Sequence, residues 1–382
     1  MTENAILMVG ESYNNSNLFY KTRFLSSIPF VYLSYKEMTI IVTPSAIWEQ
    51  AKMEAQVSNV YSFSEFNYVK KIKIAGHKDL AFLLMLKEIL DHFKITELTV
   101  PKDFPVFFAN GLIKLGINIH IDCNLFVKER SIKNNQEILY IKETQSALEK
   151  GMKCAEDIIR QSIVKDDLLF YEGKVLLGSK LKKEIEITLL KEDCNLQDII
   201  IACGKNSSDP HYHGDCDLKA NEAIMIDIFP YSKRNRYYAD MTRTFTKGNS
   251  HPQIHKMYKS VLKAQKRAIE NVKDGVPANV IFQVACNSFK EDGFTTLQDQ
   301  KPTEPMLTKG FLHSIGHGIG LNIHESPFLF SQEIKLNAGN IITVEPGLYD
   351  PDYGGIRIED IVLVKEDGCE ILTQYHNNFV ID

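Results

Sequence analysis

No stretch of this 382-residue chain approaches the roughly 20 consecutive apolar residues that a membrane-spanning helix needs, so a helical membrane protein is excluded. The start Met1-Thr2-Glu3-Asn4 lacks the basic, then apolar layout of a signal peptide, and a cytoplasmic location is expected. Cysteine is scarce: seven residues, at 123, 154, 194, 203, 216, 286 and 369, with no Cys-x-x-Cys pair. An odd number at wide spacing argues against a disulfide framework or a zinc knuckle. Cys203 is read as a buried small hydrophobe, not a nucleophile. An excess of one charge is missing too. With 44 basic against 49 acidic side chains the net charge is -5, which gives no electrostatic footprint for nucleic acid or an anionic membrane. Peptides or small molecules are the expected partners. No repeat or low-complexity tract is visible.

What is present is an ordinary soluble composition, 44% hydrophobic and 24% charged, on a chain too long for one ordinary core. Two domains are expected, 1–130 and 131–382. In the first, β-rich runs such as Phe30-Val31-Tyr32-Leu33 and Thr39-Ile40-Ile41-Val42 alternate with helical patterns over 79–93 and 104–115, which predicts an α/β domain. Further strands are expected at 98–100 and 117–121. Past Arg130, the residues Ile141, Leu148, Met152, Ala155, Ile159 and Ile163 recur at helical spacing and predict a long amphipathic helix. A second helix is marked by Ile254, Tyr258, Val261, Ala268 and Val272, with Pro252 near its start and Gly275 beyond its end. Runs at 223–229, 237–245, 340–345 and 355–364 read as strands, so the second domain is expected to be α+β with a mostly antiparallel sheet. Lys70-Lys71-Ile72-Lys73 and Lys180-Leu181-Lys182-Lys183 are read as solvated faces.

Three groups in the second domain place acids or imidazoles on elements that otherwise read as buried, where an unpartnered charge is expensive. Asp227 follows Ile224-Met225-Ile226, and Asp240 lies beyond the polar turn 230–236, so a hairpin would set two carboxylates side by side. His313, His317 and His324 fall within twelve residues of a chain holding eleven histidines, among glycines that permit close backbone approach. Glu345-Pro346-Gly347 and Arg357-Ile358-Glu359-Asp360 again set acids within apolar strands. Two Asp, one His and two Glu offer hard oxygen ligands with one nitrogen, a mixture suited to paired Mn²⁺, Co²⁺ or Zn²⁺. Ions about 3.5–4 Å apart can share a hydroxide, lower the pKa of its parent water and polarise the carbonyl it attacks.

The order Asp227, Asp240-Met241-Thr242-Arg243-Thr244, His313-x3-His317-x6-His324, Glu345-Pro346-Gly347 and Arg357-Ile358-Glu359-Asp360 closely resembles the aminopeptidase P and prolidase family of pita-bread hydrolases. The resemblance runs from about Arg130 to the C-terminus and implies a pita-bread catalytic domain, with the N-terminal half as the family's accessory domain. It implies a dinuclear site with Asp227, Asp240, His317, Glu345 and Glu359 as metal ligands, Asp240 and Glu359 bridging, and two divalent ions, manganese first. Glu345 would also act as general base. His313, His324 and Arg357 would line the substrate pocket and hold the scissile carbonyl and oxyanion, a role in which one donor contributes about 3 kcal/mol. His211, in the loop Cys203 to Tyr212, would bring one more imidazole and is preferred to His213. The implied activity is that of an Xaa-Pro aminopeptidase, with Xaa-Pro dipeptidase (prolidase) as the close variant, on peptides with proline at the second position; a homodimer is implied as well. One departure stands out: Phe229 replaces the glycine the family usually shows two residues after its first ligand, and the following hairpin is about two residues longer.

Blander readings are set beside these. Arg357 could pair with Glu359 or Asp360, since residues 357 and 359 share one face of a strand. Thr242 and Arg243 are expected to orient Asp240 from behind. Tyr237 and Tyr238 fit core or pocket wall equally. A methionine aminopeptidase uses the same ligands, but His313, Arg357 and the size of the N-terminal domain speak against it. A non-catalytic pita-bread binding module would lack several ligands, and here all five positions are filled.

Overall fold

A computed structural model describes residues 5–301, 303 and 305–382. The chain divides into two compact units, Met1–Lys128 and Glu129–Asp382. The first holds a six-stranded sheet in the order Asn59–Ser62, Met38–Thr43, Phe30–Tyr35, Ala5–Gly10, Glu97–Pro101, Asn118–Asp122. Its central strands are buried on both faces. Along Phe30–Tyr35 the two-residue period sends Val31 and Leu33 into one apolar cluster with helix Lys78–His92, and Phe30 and Tyr32 into another with helix Ser45–Glu54. The lysine-rich run 70–73 lies in helix Tyr68–Ala75, which has no buried residue, as a solvated face requires.

The second unit opens with helix Asn135–Gln161. Its start is fixed by a capping box: Glu137 N–H donates to Asn134 Oδ1 and Asn134 N–H donates to Glu137 Oε2, both at 3.0 Å. Ile141, Leu148, Met152, Ala155 and Ile159 are buried along one stripe. Ile163 is not part of it. The helix ends at Gln161, and Ile163 enters a short exposed strand, 71% accessible. The helix Pro252–Glu270 starts with proline at its first turn, where the missing N–H costs nothing.

These helices belong to two similar halves. In one, Asn135–Gln161 and Gly178–Lys191 pack on the sheet Ile199–Cys203, Ile224–Ile228, Met241–Lys247, Val380–Ile381. In the other, Pro252–Glu270 and Ala278–Glu291 cover the sheet Glu325–Phe328, His317–Gly318, Ile341–Val344, Asp360–Lys365, Gly368–Ile371. Each half has its own apolar cluster. Two expected strands are shorter than the hydrophobic pattern indicated. Residues 237–240 precede the strand Met241–Lys247, and Tyr237 is buried with its hydroxyl on Glu137. The run 355–364 is two strands: Gly354–Arg357 pairs with Gly347–Asp350, and Asp360–Lys365 joins the five-stranded sheet. Residues 358 and 359 form the crossing, which removes the shared strand face expected for Arg357 and Glu359. No helix among the described residues is long and apolar enough to cross a membrane.

Candidate active site

Asp227 lies opposite Thr242 in the antiparallel ladder between Ile224–Ile228 and Met241–Lys247, and Asp240 stands just ahead of the second strand. From the other half comes His317, in a two-residue strand preceded by a glycine that nothing larger could replace. A Cβ on Gly316 would lie 2.2 Å from the Thr343 carbonyl oxygen. Glu345 follows strand Ile341–Val344 and is fixed by its N–H, which donates to the Ile315 carbonyl at 2.9 Å. Glu359 sits on the crossing between the two sheets, and its N–H donates to the Thr242 carbonyl at 3.1 Å.

These side chains meet. Ligand atoms of Asp240, His317 and Glu359 lie within 4.8 Å of one another. His317 Nε2 is 3.5 Å from Glu345 Oε1 and 3.8 Å from Asp240 Oδ2. All four, with Asp227, line one cavity of about 340 Å³, and His211, His313, His324 and Arg357 line it too. Every residue singled out in the sequence as ligand or catalytic group therefore faces the same space. His213 also reaches the cavity, but its Nδ1 is engaged by Asp198 at 2.9 Å.

The cluster is electrostatically incomplete. Burial raises the Asp240 and Glu359 carboxyls well above the usual range, and mutual repulsion with Glu345 and Asp227 raises them further. Burial pushes Glu345 up to about 7, opposed by Arg357 and aided by Asp227. Asp227 Oδ1 and Asp240 Oδ1 are buried with no hydrogen-bond partner among the described residues. Such orphaned oxygens cost free energy unless something fills the space between them. His317 is prepared for the same purpose. Its Nδ1–H donates to the Gly318 carbonyl at 3.2 Å, which leaves the Nε2 lone pair facing the acids, and burial followed by His324 pushes its pKa down to about 3. Four carboxylates and one neutral imidazole around a small cavity fit hard or borderline divalent cations.

Around this cluster the hydrogen bonds correct one expectation and remove one of the blander readings. No hydrogen bond joins Thr242 or Arg243 to the Asp240 carboxylate among the described residues. Thr242 Oγ1 donates to Glu359 Oε2 at 2.8 Å, and Arg243 donates to the Glu359 carbonyl at 2.6 Å and pairs with Asp360 at 2.7 Å. The reason is register: Thr242 faces the crossing at 359, while Asp240 lies beyond the strand end. Arg357 pairs with neither Glu359 nor Asp360. Its Nη2 reaches Asp227 Oδ2 at 2.5 Å, Nε donates to Thr242 Oγ1 at 3.1 Å, and Nη1 donates to Tyr349 Oη at 3.0 Å and to the Pro210 carbonyl at 3.2 Å. His313, with Nδ1–H on the Ser314 carbonyl at 2.6 Å, accepts from Tyr349 Oη at 2.8 Å. His313, Tyr349 and Arg357 thus form a relay that ends on Asp227. Tyr349 carried no signal beyond a core-like tyrosine in a strand. A faint one existed in the hairpin after Glu345, where Gly355 opposes Tyr349 and leaves room for its ring. Cys203 is buried, and burial pushes its thiol up to about 12, as expected of an inert residue.

The model of metallopeptidase family M24 matches residues 140–366. This chain is an M24 metallopeptidase. Among its relatives, the Xaa-Pro dipeptidase of Pyrococcus furiosus is 33% identical over 251 residues, covering 65% of this chain and 67% of that protein. An uncharacterized peptidase of Staphylococcus epidermidis is 31% identical over 265 residues, 68% of each chain. The structure of X-Pro aminopeptidase from Thermotoga maritima MSB8 superposes with a TM-score of 0.80 at 26% identity, covering 99% of this chain and 97% of that one. The prolidase from Pyrococcus horikoshii OT3 gives 0.78 at 25% identity, with 98% and 95% coverage. The M24 peptidase has the pita-bread fold, and its two similar halves with the acids between them are that fold. Membership implies divalent metal, which accords with the donor set.

Proposed function

We propose that the M24 peptidase is a two-metal Xaa-Pro aminopeptidase that hydrolyses the bond before a proline at the second position of a peptide. The observation that carries this reading is the convergence of Asp227, Asp240, His317, Glu345 and Glu359, from both halves of the fold, on one cavity that also holds three further imidazoles. Asp227, Asp240, His317, Glu345 and Glu359 would hold the ions, and Asp240 and Glu359 are the two most buried acids of the set. When bound, paired divalent ions supply Lewis acidity to water and to the scissile carbonyl. The protein moves the protons. Glu345 Oε1 receives the proton of the attacking water and passes it to the proline nitrogen as the C–N bond breaks. His324 lines the cavity with an exposed edge, and burial of its inner side lowers its pKa, so its neutral ring offers an N–H to the developing oxyanion. His211, at the exposed rim, is placed to contact the peptide carbonyl beyond the scissile bond. His313 and Arg357 act through Tyr349 and Asp227, holding the first ligand in place.

Manganese is the assigned ion, with cobalt or zinc able to replace it on these ligands. The N-terminal unit, residues 1–130 in this reading, is an accessory domain. Homodimeric assembly follows from the family resemblance, and a cytoplasmic location accords with seven free cysteines. Light scattering and cell fractionation test these two assignments. A second reading, Xaa-Pro dipeptidase, is favoured by the 33% identical relative of that name. Assay of the Mn²⁺-loaded protein on Xaa-Pro dipeptides and Xaa-Pro-Yaa peptides separates the two, and turnover of neither would sink both.

A further inference from the structure

Next to His324 stands a charge that the chemistry of the cavity does not use. Glu325 opens the strand Glu325–Phe328, opposite Gly318, and its side chain is 10% accessible. Lys133 Nζ, on a side chain 1% accessible, donates to its Oε1 at 2.8 Å, and Arg130 Nη2 donates to its Oε2 at 2.5 Å. The same Arg130 nitrogen reaches Asn322 Oδ1, and the Asn322 N–H points back to Glu325 Oε2 at 3.4 Å. The carboxylate also lies across bare backbone: a Cβ on Gly320 would sit 2.4 Å from Oε1. The bend 320–324 is thereby closed around Glu325 and moored to residues 130–133. That segment is itself held to the turn before strand Ile341–Val344. Lys133 N–H donates to the Gly339 carbonyl at 2.8 Å, and Asn340 Nδ2 donates to the Ser131 carbonyl at 2.9 Å.

The ring of His324 has no such mooring. Among the described residues it makes no hydrogen bond of its own, and it lies edge-on to His317 with ring centroids 4.3 Å apart. Its direction is set by the backbone it hangs from. Apolar residues of similar volume often hold a fold as well as a buried ion pair does, so a salt bridge placed here points to geometry more than to stability. Resting on the reading in which His324 donates to the oxyanion of the Xaa-Pro bond, we infer that Glu325 is a positioning residue: gripped by Lys133 and Arg130, it aims the His324 imidazole at the reacting carbonyl. A group shifted by about 1 Å can cost on the order of 100-fold in rate. The first residues of the second unit thus act on the reaction through the loop they hold.

The test uses the Mn²⁺-loaded full chain and the peptide Ala-Pro-Ala. Glu325→Gln and Arg130→Met should lower kcat by about 100-fold and about tenfold, with KM and metal content within about twofold of wild type. His324→Ala alone should lower kcat by about 100–1000-fold. In that background Glu325→Gln should cost less than about twofold more, because the ring it aims is gone; a purely structural Glu325 would cost the same in both. Arg130→Met leaves the Lys133 pair intact at a side chain 12% accessible, and it carries the test if the glutamine variant melts below the assay temperature. A second readout needs no substrate. In Zn²⁺-loaded protein with isotope-labelled histidine, the His324 ring resonance, assigned by its loss in His324→Ala, should be single in wild type and broadened or split in Arg130→Met. Unchanged kcat in folded Arg130→Met, equal losses with and without the His324 ring, or an unaltered ring resonance overturns the positioning role and leaves the Xaa-Pro activity standing. No turnover by wild type overturns that activity, and the ring resonance then decides the role of Glu325 by itself.

Discussion

Replacing Arg243 by methionine keeps an unbranched side chain in a site that is 1% exposed and removes its guanidinium. The wild-type group donates to the carbonyls of His376, Thr242, Glu359 and Tyr375 at 2.9, 3.0, 2.6 and 3.0 Å, and pairs with Asp360 Oδ1 at 2.7 Å. Without it, Asp360 is a buried carboxylate whose remaining side-chain donor is Gln265 Nε2, at 3.1 Å. Breaking a buried ion pair from one side costs about 3–5 kcal/mol, because the other charge stays behind. For a unit of this size each kcal/mol moves the melting temperature by about 2–4 °C, so the variant should melt roughly 6–20 °C lower. The assay is a circular dichroism melt of chelated wild type and variant, so that bound cations do not mask the difference. Arg243 also fixes the Glu359 carbonyl, so cation affinity, read by calorimetry, should weaken about tenfold or more. Arg243→Lys keeps the charge but not the planar fork, and should fall between the two. A methionine variant that melts within about 3 °C of wild type would refute the ion-pair reasoning, which requires at least twice that.

Three other outcomes are expected. Manganese added to chelated protein should raise the melting temperature, with ~2.7 kcal/mol of stabilisation at a hundredfold excess over Kd; a flat titration with Mn²⁺, Co²⁺ and Zn²⁺ would refute the cation site. Thr242→Val, nearly isosteric, removes the donor to Glu359 and the acceptor for Arg357 Nε, and kcat/KM should drop about 10–100-fold with little change in melting; full activity would remove Thr242 from the site's support. Glu325→Gln should cost ~3–5 kcal/mol at pH 7, since Lys133 at 2.8 Å and Arg130 at 2.5 Å lose their shared partner in a buried site. Burial opposes the charged form of Glu325, yet Lys133 and Arg130 hold its carboxyl below the ordinary 4.5. A depressed folded pKa contributes stability that is complete above the ordinary value and is lost as pH falls through the lower one. The cost of Glu325→Gln in urea unfolding should therefore shrink at low pH, and an equal loss at pH 7 and pH 3 would contradict the assignment.

Much of the site was legible because ligands are polar residues where the local pattern demands apolar ones. Asp227 after three buried aliphatics and Glu345 at the end of Ile341–Val344 stand out for that reason. The helices were legible through spacing and through Pro252, and misread at Ile163, where apolar periodicity continued one step past the last helical hydrogen bond. Strand ends were harder. The run 355–364 keeps apolar residues on both sides of Arg357, Glu359 and Asp360 and holds no proline, so no turn former marks the break at 358–359, which depends on the Glu359 N–H reaching the Thr242 carbonyl more than a hundred residues away. The supporting network was hidden for the same reason. Which acid Arg357 or Arg243 pairs with is decided by register between distant strands, and Tyr349 matters only because Arg357 and His313 arrive on either side of it.

The two halves of the second unit have separate apolar interiors, and the acid cluster draws Asp227 and Asp240 from one half and His317, Glu345 and Glu359 from the other. A cation gripped by both sets is a fastener across a seam that neither interior closes by itself. Chelation should then free backbone amide exchange first along that seam, around residues 225–228 and 315–318, while both helix pairs stay protected. Activity and mechanical cohesion of this peptidase would be switched by the same occupancy.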